Sequence, residues 1–305
     1  MYRDLHADLM RRFGEKTYKL ALDGGMSCPN RDGTIGRGGC IFCSEGGSGE
    51  FAASASLSIP EQLAQAKAHI GNKYKGHSYI AYFQSYTNTY AEVSYLRRIF
   101  TEAMADPEVR VLSIATRPDC LGEDVLDLLA ELRQKKPVWV ELGLQTSNEE
   151  TARRIHRGYA LSCFIEAVSA LHARGIEVIV HVILGLPGET QEHMFRTIEC
   201  VNRVHAEGIK LQLLHVLRGT PLEESYRQGD FRVLDLDTYV EILGECVERL
   251  DPSIVIHRLT GDGPKRLLVA PLWSGDKKRV RNRIHQEFTR REICQGRLFQ
   301  EEGRA

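Results

Sequence analysis

The stretch "IEVIVHVILGLPGETQEHMFRTIECVNRVHAEGIKLQLLHV" (176–216) decides the fold class, because it joins two apolar runs through one amphipathic segment. The runs 176–186 and 209–216 are nearly continuous in apolar residues, as is typical of strands that are covered on both faces. The segment between them, 189–208, reads as a helix. A strand, a helix and a second strand in this order predict a parallel pair joined by a right-handed crossover.

The same alternation precedes this stretch along most of the chain. Strands are predicted at 17–23, 78–83, 109–115 and 138–144, and helices at 58–74, 91–105 and 122–136, with further helical stretches after the strand 138–144 up to about Arg174. The chain thus contains six β–α units by Val216, which predicts an α/β protein with a parallel sheet. Six units fit either a partial barrel or an open doubly wound sheet, and the pattern alone does not distinguish them.

The alternation changes after Pro221. A helix is predicted at 235–250, a strand at 253–259, and a basic helical tail from Asp276 to the end. We therefore expect residues 1–216 to form the core, with 217–305 as a C-terminal α/β extension packed on the same domain.

Composition excludes several classes of protein. The 305 residues carry a formal net charge of −1, so no overall basic field indicates nucleic acid. The N-terminal residues are charged throughout and do not resemble a signal peptide, and the longest apolar run, 178–186, is too short to span a bilayer. We expect a cytoplasmic location and no membrane partner, and in a reducing compartment clustered cysteines indicate a metal site or catalysis.

Three of the eight cysteines, Cys28, Cys40 and Cys43, lie in one glycine-rich loop that we place at 24–56. The other five are scattered singly and do not indicate a second metal site. Three thiolates would hold three irons of a [4Fe–4S] cluster and leave the fourth iron open to S-adenosylmethionine (SAM). The alternative is structural zinc, with a histidine as fourth ligand: His69, His77 or His181.

The segments that follow the predicted strands are rich in glycine, proline and polar residues. They read YFQSYTNTY (82–90), ATRPD (115–119), ELGLQTS (141–147), GLPGET (185–190) and HVLRGTPL (215–222). Because the carboxyl ends of parallel strands meet at one edge of a sheet, these segments predict a single shared site.

With the cysteine loop, these segments resemble the radical SAM superfamily, most closely its small bacterial YhcC/YtqA-type branch. That branch is similar to the radical SAM module of the Elongator catalytic subunit. The stretches that carry the resemblance are LDGGMSCPNRDGTIGRGGCIFC (22–43), AYFQSYTNTYA (81–91), SIATRPDCL (113–121), VELGLQT (140–146), RGY (157–159), HVILGLPGET (181–190), LLHVLRGTPL (213–222) and HRLTGDGPK (257–265). The gap from Cys28 to Cys40 exceeds the common CxxxCxxC spacing of the superfamily and agrees with this branch.

The resemblance implies a partial (β/α)6 TIM-like barrel in which Cys28, Cys40 and Cys43 hold the catalytic [4Fe–4S] cluster. It also implies SAM contacts from the strand ends. These are Gln84 and Ser85 near the methionine amino group, Glu141 and Gln145 near ribose or methionine, Gly185, Leu186, Val216 and Leu217 near adenine, and Arg117 with Asp119 in the same mouth. For Glu141, the alternative is a structural salt bridge with an arginine such as Arg117.

The same resemblance implies a substrate: tRNA, modified at C5 of the wobble uridine and contacted by the basic tail. A solvated helix face explains the tail equally well. We expect no acetyltransferase domain after residue 260, hence a smaller group of the aminomethyl type, and a reductant such as flavodoxin or ferredoxin. The alternatives are a radical SAM enzyme that acts on a small metabolite or a protein, and a non-catalytic Fe–S or zinc protein.

Overall fold

The computed structural model describes residues 1–47, 49, 52–71, 74–261 and 263–300. A seven-stranded sheet, in which every neighbouring pair is parallel, curls into a half barrel. Its strands lie in the order β1 (Tyr18–Leu22), β2 (Tyr79–Phe83), β3 (Val109–Thr116), β4 (Val138–Gln145), β5 (Glu177–Leu184), β6 (Gly208–Leu213) and β8 (Val255–Arg258). Two short strands, β7 (Val216–Leu217) and β9 (Leu268–Ala270), form a separate antiparallel pair. The predicted α/β partial barrel is confirmed.

Most of the helices pack on the convex face of the sheet. The helices that share the main apolar core are α2 (Ile59–Ile70), α3 (Val93–Ala105), α4 (Glu123–Arg133), α6 (Leu161–Ala173), α7 (Gln191–Arg203), α9 (Leu236–Arg249) and α10 (Lys277–Arg290). The N-terminal α1 (Leu5–Phe13) and the short α5 (Glu149–Arg154) lie outside that core, and α8 (Pro221–Gln228) packs on β7. Outward-facing strand residues such as Leu112 and Val180 are fully buried with Phe100 and Phe164 from the helices. Each such side chain stabilises the fold by roughly 1.5–3 kcal/mol relative to an exposed one.

The sixth strand is shorter than the predicted run 209–216. It ends at Leu213, and Val216 pairs instead with Ala270 across the top of the barrel. The turn is fixed by His215, whose ring packs so closely on Gly261 that a Cβ there would lie 2.6 Å from its Cε1 atom. The strand predicted at 253–259 becomes β8, which adjoins β6 as a seventh strand.

The first helix, α1, is not predicted from the sequence, because charges dominate that segment. Its apolar residues Leu5, Leu9 and Phe13 recur every fourth position and pack on inward-facing residues of the sheet, among them Ile80 and Trp139. These strand residues lie near the amino ends of their strands, so α1 closes that end of the half barrel.

The basic tail is only partly helical. α10 ends at Arg290, where the chain turns through Glu292 at φ 52°, so the prediction of a helix to the chain end is wrong over 291–300. The following residue Gln295 donates to the carbonyls of Asp251 and Ile254, just before β8. Within the described part of the chain, no helix is long and apolar enough to cross a membrane.

Candidate active site

One pocket opens at the carboxyl ends of the strands, where the sequence predicts the site. Its wall includes all three clustered cysteines and, among the other predicted residues, Gln84, Arg117, Glu141, Gln145 and Leu217. The cysteine loop (residues 28–47) forms one side, and the inward-facing strand residues form the floor and the other side. The structure therefore brings together residues that are separated by up to 189 positions in the sequence.

The cysteine loop is held by backbone turns and by a few polar side chains. The Asn30 amide donates to the His156 carbonyl at 2.6 Å and lies 3.7 Å from the Cys40 sulfur. Arg31 donates to the carbonyls of Cys43 and Ser44 at 3.0 and 2.5 Å. The three cysteines are half-buried residues and form no disulfide.

The thiols of Cys40 and Cys43 share a hydrogen bond, which shifts the pKa of both. A hydrogen bond from Cys43 lowers the pKa of Cys40 to about 7, against the effect of burial and with help from Arg117 and Asn30. The same hydrogen bond, together with burial, raises the pKa of Cys43 well above its usual value. One thiolate is thus available near neutral pH, and thiolate is the form that binds metal.

Glycines let the loop approach the strand ends closely. Gly47 has φ 55°, and a Cβ there would lie 2.3 Å from the Tyr86 ring; a Cβ at Gly39 would lie 2.8 Å from Arg31 Nε. A side chain at Gly47 would push the loop away from Tyr86 after β2, and one at Gly39 would displace Arg31 within the loop. The glycine-rich composition therefore has a steric cause.

Two predicted residues carry buried polar atoms without a partner among the described residues: Ser85 Oγ and Gln145 Oε1. Gln145 also has φ 65°, at the point where the β4–β5 register shifts. Unpartnered buried polar atoms and left-handed backbone both cost free energy and concentrate at ligand sites. Gln145 lines the pocket, so its amide is placed to bond a guest molecule.

An aromatic clamp stands beside the cysteines. The guanidinium groups of Arg117 and Arg157 both lie over the Tyr159 ring, each 4.8 Å from its centroid. Arg117 forms two bonds to Asp119, at 2.9 and 2.7 Å, and Arg157 donates to the Thr146 carbonyl at 2.6 Å. Of the two residues predicted to face the mouth, Arg117 lines the pocket, whereas Asp119 pairs with Arg117 and is not among the lining residues; the RGY segment supplies Arg157 and Tyr159.

Below the cysteines, the inward side chains form a charged layer: Lys19, Tyr82, Ser113, Glu141, His181 and Lys210. Glu141 accepts from Lys19 and Ser113 at 2.7 and 2.8 Å on one oxygen, and from His181 at 2.7 Å and from Lys210 on the other. The salt bridge that we weighed for Glu141 thus exists, but with lysines; Arg117 pairs with Asp119 instead.

Protonation in this layer follows from the contacts. Burial alone would raise the pKa of Glu141, but the charges of Lys19 and Lys210 and the His181 hydrogen bond hold it well below its usual value. Burial and the nearby Lys210 charge lower the pKa of His181 to about 4. At neutral pH, His181 is therefore neutral and donates its Nε2 proton to an ionised Glu141.

Other predicted site residues do not line this pocket. Leu186 and Val216 lie in an apolar cluster against Ile41 and Phe42, the two residues between Cys40 and Cys43. Gly185 has φ 86° and packs on Leu234. The side chains of Leu186 and Val216 thus pack against the cysteine loop, and the backbone contacts to adenine stay a prediction.

Comparison with known proteins identifies the family. The family model of the radical SAM superfamily matches residues 32–201, and the model of the radical SAM C-terminal domain matches residues 206–290. The chain belongs to the radical SAM superfamily. Members of this superfamily use a [4Fe–4S] cluster and SAM.

Several radical SAM relatives cover most or part of the chain. It is 44% identical to the uncharacterised protein YtqA of Bacillus subtilis over 98% of this chain and 93% of that one, and 42% identical to YhcC of Escherichia coli over 87% and 85%. A tRNA uridine(34) acetyltransferase of Dehalococcoides mccartyi is 27% identical over 53% of this chain and 35% of its own. In structure, Elp3 of Methanocaldococcus infernus aligns with a TM-score of 0.70 and 17% identity, over 92% of this chain and 64% of that one.

The residues present fit the cofactors of a radical SAM protein. Three thiols share one pocket wall, and one of them has a pKa near neutrality. Two histidines considered for zinc are engaged elsewhere: His77 bonds to Glu108 and His181 to Glu141. Among the described residues, no three or more His, Cys, Asp or Glu side chains converge on a position for one metal ion.

No role is predicted from the sequence for Lys210, which lines the pocket, or for Lys19 and Asn30, which bond to Glu141 and to the cysteine loop beside it. A lysine inside an apolar strand, as in YKLAL and GIKLQL, is the signal that could have identified two of them. Such a charge must be paired when it is buried, which points to an inward-facing site.

Proposed function

We propose that the chain is a SAM-cleaving enzyme in which Cys28, Cys40 and Cys43 hold the [4Fe–4S] cluster. The observation that carries the proposal is that these three cysteines line one pocket together with Gln145 and other strand-end residues. When the cluster is bound, the chemistry available is one-electron cleavage of SAM to methionine and a 5′-deoxyadenosyl radical that abstracts hydrogen from a substrate. Flavodoxin or ferredoxin is the class of protein that would supply the electron.

The chain's own residues would orient SAM and exclude water. Gln84 and Gln145 line the wall between the cysteines and the strands, and the buried, unpartnered Oε1 of Gln145 suits a hydroxyl or ammonium donor. Leu217 of β7 gives one side of the pocket an apolar surface, on which an adenine ring would pack. Glu141 has both oxygens bonded by protein donors, so we assign it to positioning Lys19 and Lys210 rather than to direct contact with SAM.

We further propose tRNA as the substrate, with C5 of the wobble uridine as the modified position. The support is the 27% identity to tRNA uridine(34) acetyltransferase over about half of this chain. The matched part is 35% of that enzyme, so acetyl transfer is not part of the proposal. A uridine in a single-stranded loop can be turned out into a pocket of this kind.

The cleavage proposal is tested by anaerobic reconstitution with iron and sulfide, followed by dithionite and SAM. We expect the wild type to form 5′-deoxyadenosine, measured by chromatography, and Cys40→Ala to form at least about a hundredfold less, since a cluster held by two thiols lacks a protein ligand. The matched control is Cys294→Ala, which removes an exposed thiol outside the pocket and should retain wild-type turnover. Equal product from Cys40→Ala and wild type would refute the assignment.

The tRNA proposal is tested separately by nucleoside mass analysis. A deletion strain should lose a modified uridine from its tRNA, and the gene for the wild type should restore it while that for Cys40→Ala should not. An unchanged uridine profile in the deletion strain, with 5′-deoxyadenosine formation intact in vitro, would exclude the tRNA substrate and favour a small metabolite or a protein.

A further inference from the structure

The small sheet formed by β7 and β9 carries exposed cations at the pocket mouth. We define the β7–β9 rim as residues 216–219 and 263–270. Leu217, Gly263 and Pro264 of the rim line the pocket. Arg218, Lys265 and Arg266 follow directly in the sequence, and all three are exposed.

The rim cations lie on two adjoining segments of one small sheet, and the pKa of Glu223 is lowered by the Gly219 N–H bond and also by the charge of Arg218. The backbone N–H of Arg218 donates to the Leu267 carbonyl at 2.7 Å, which places Arg218 beside Arg266 across the two strands. The nearest described carboxylate in sequence, Glu223, already accepts from the Gly219 N–H at 2.8 Å and from Arg227 at 2.6 Å. No described residue forms an ion pair with Arg218, Lys265 or Arg266.

The basic tail is a poorer candidate for the same role. Arg283 pairs with Asp237 at 2.7 Å and with Glu287 at 2.9 Å, Arg290 pairs with Glu287, and Arg297 pairs with Glu248. α10 has 14 residues and so runs about 20 Å, from the Ser274 side near His215 toward the closed end of the barrel. Its last basic residues therefore lie far from the pocket mouth.

We propose that the β7–β9 rim is the surface that binds the phosphate backbone of RNA while a base occupies the pocket. The proposal rests on the RNA substrate proposed above. A base turned into the pocket leaves its flanking phosphates at the mouth, and exposed arginines and lysines there neutralise them. The β7–β9 rim thus replaces the basic C-terminal tail as the proposed RNA-binding surface.

The test is binding of a fluorescently labelled, unmodified tRNA transcript to the iron-loaded full chain, measured by anisotropy from 50 to 300 mM salt. The rim variant R218E/K265E/R266E should bind at least about tenfold more weakly at 100 mM salt, and its salt slope should fall by about 2 to 3. The control R133E/K135E/R203E carries the same charge change on exposed residues at the opposite edge of the sheet and should bind as wild type does.

A second variant, K278E/R279E/R281E, changes exposed cations in the first turns of α10 and distinguishes the tail from the rim. Circular dichroism and iron content verify that each variant is folded and loaded. Wild-type affinity in the rim variant, or an equal loss in the α10 variant, would overturn the rim assignment while the tRNA proposal stands. Absence of any tRNA binding by the wild type, with SAM cleavage intact, would overturn both.

Discussion

The cysteine loop and the charged layer face each other in one pocket, but their polar groups are satisfied in different ways. In the charged layer, protein donors occupy both oxygens of Glu141. In the loop, three thiols line the pocket and only Cys40 and Cys43 bond to one another. Protein groups thus satisfy the charged layer, whereas we expect the thiols of the loop to bind a ligand. Stability and cofactor binding should therefore be separable.

The largest expected effect comes from breaking the charged layer. Glu141→Ala leaves Lys19 and Lys210 without their carboxylate, and Lys210 is buried, so we expect a loss of about 3–5 kcal/mol in the free energy of unfolding. Urea unfolding of iron-free protein measures it. Glu177→Ala, which removes the half-buried partner of Arg12, is the control and should cost about 1 kcal/mol or less.

A free energy of unfolding for Glu141→Ala within about 1 kcal/mol of the wild-type value would show that the charged layer does not stabilise the fold. The double variant Glu141→Leu/Lys210→Met distinguishes the loss of an ion pair from the cost of one unpaired buried charge. An apolar pair of similar volume can replace a buried ion pair at little cost. We expect this variant to regain most of the stability lost in Glu141→Ala.

A smaller effect is expected at Glu189, a half-buried residue in the GLPGET turn whose carboxyl accepts from Thr146 and forms no ion pair with any described residue. Burial raises the pKa of Glu189 to about 7, opposite to Glu141. Since the folded-state pKa of Glu189 exceeds the unfolded one, the protonated carboxyl contributes its full stabilisation below about pH 4.5. This contribution to the free energy of unfolding is lost as the pH rises through 7. Glu189→Gln should match the wild type at pH 4 and exceed it by roughly 2–3 kcal/mol at pH 8.

Thermal or urea unfolding from pH 4 to 8 measures this difference. Glu192→Gln is the control, since Glu192 is exposed and paired only with Arg196, and its difference from the wild type should stay flat with pH. A flat profile for Glu189→Gln as well would show that the Glu189 carboxyl is ionised in the folded state.

The smallest effect on global stability is expected from removing iron. Hydrogen exchange should quicken in the cysteine loop, whose backbone is held mainly by local turns, and stay unchanged in β4 and β5. Mass spectrometry of loaded and chelated protein measures both regions at once. Equal protection of the loop in the two forms would show that the backbone of the cysteine loop is equally stable with and without iron.

The sequence predicts the strands well because each is a long apolar run between polar segments. It also predicts which segments meet, because carboxyl ends of parallel strands share an edge. It does not predict the partners of Glu141, since Lys19 and Lys210 lie 122 and 69 residues away and their pairing depends on strand register. Only a folded sheet fixes which way each side chain faces.

Two local features, α1 and the turn at His215, are not predicted from the sequence, for different reasons. The repeat of Leu5, Leu9 and Phe13 in α1 is visible in the sequence, but surrounding charges hide it. The turn at His215 has no local signal, because the run from Leu211 to Leu217 stays largely apolar. Its cause lies some 50 residues downstream, where Gly261 makes room for the imidazole ring.

The helix α1, which closes the amino end of the half barrel, has a consequence for kinetics. Among the described residues, the pocket opens at the strand carboxyl ends, so small molecules enter and leave where a large substrate would sit. A nucleic acid on the rim would therefore trap whatever lies beneath it. SAM would have to bind first, and methionine and 5′-deoxyadenosine could depart only after the large product, which is a compulsory-order sequence set by a single short helix.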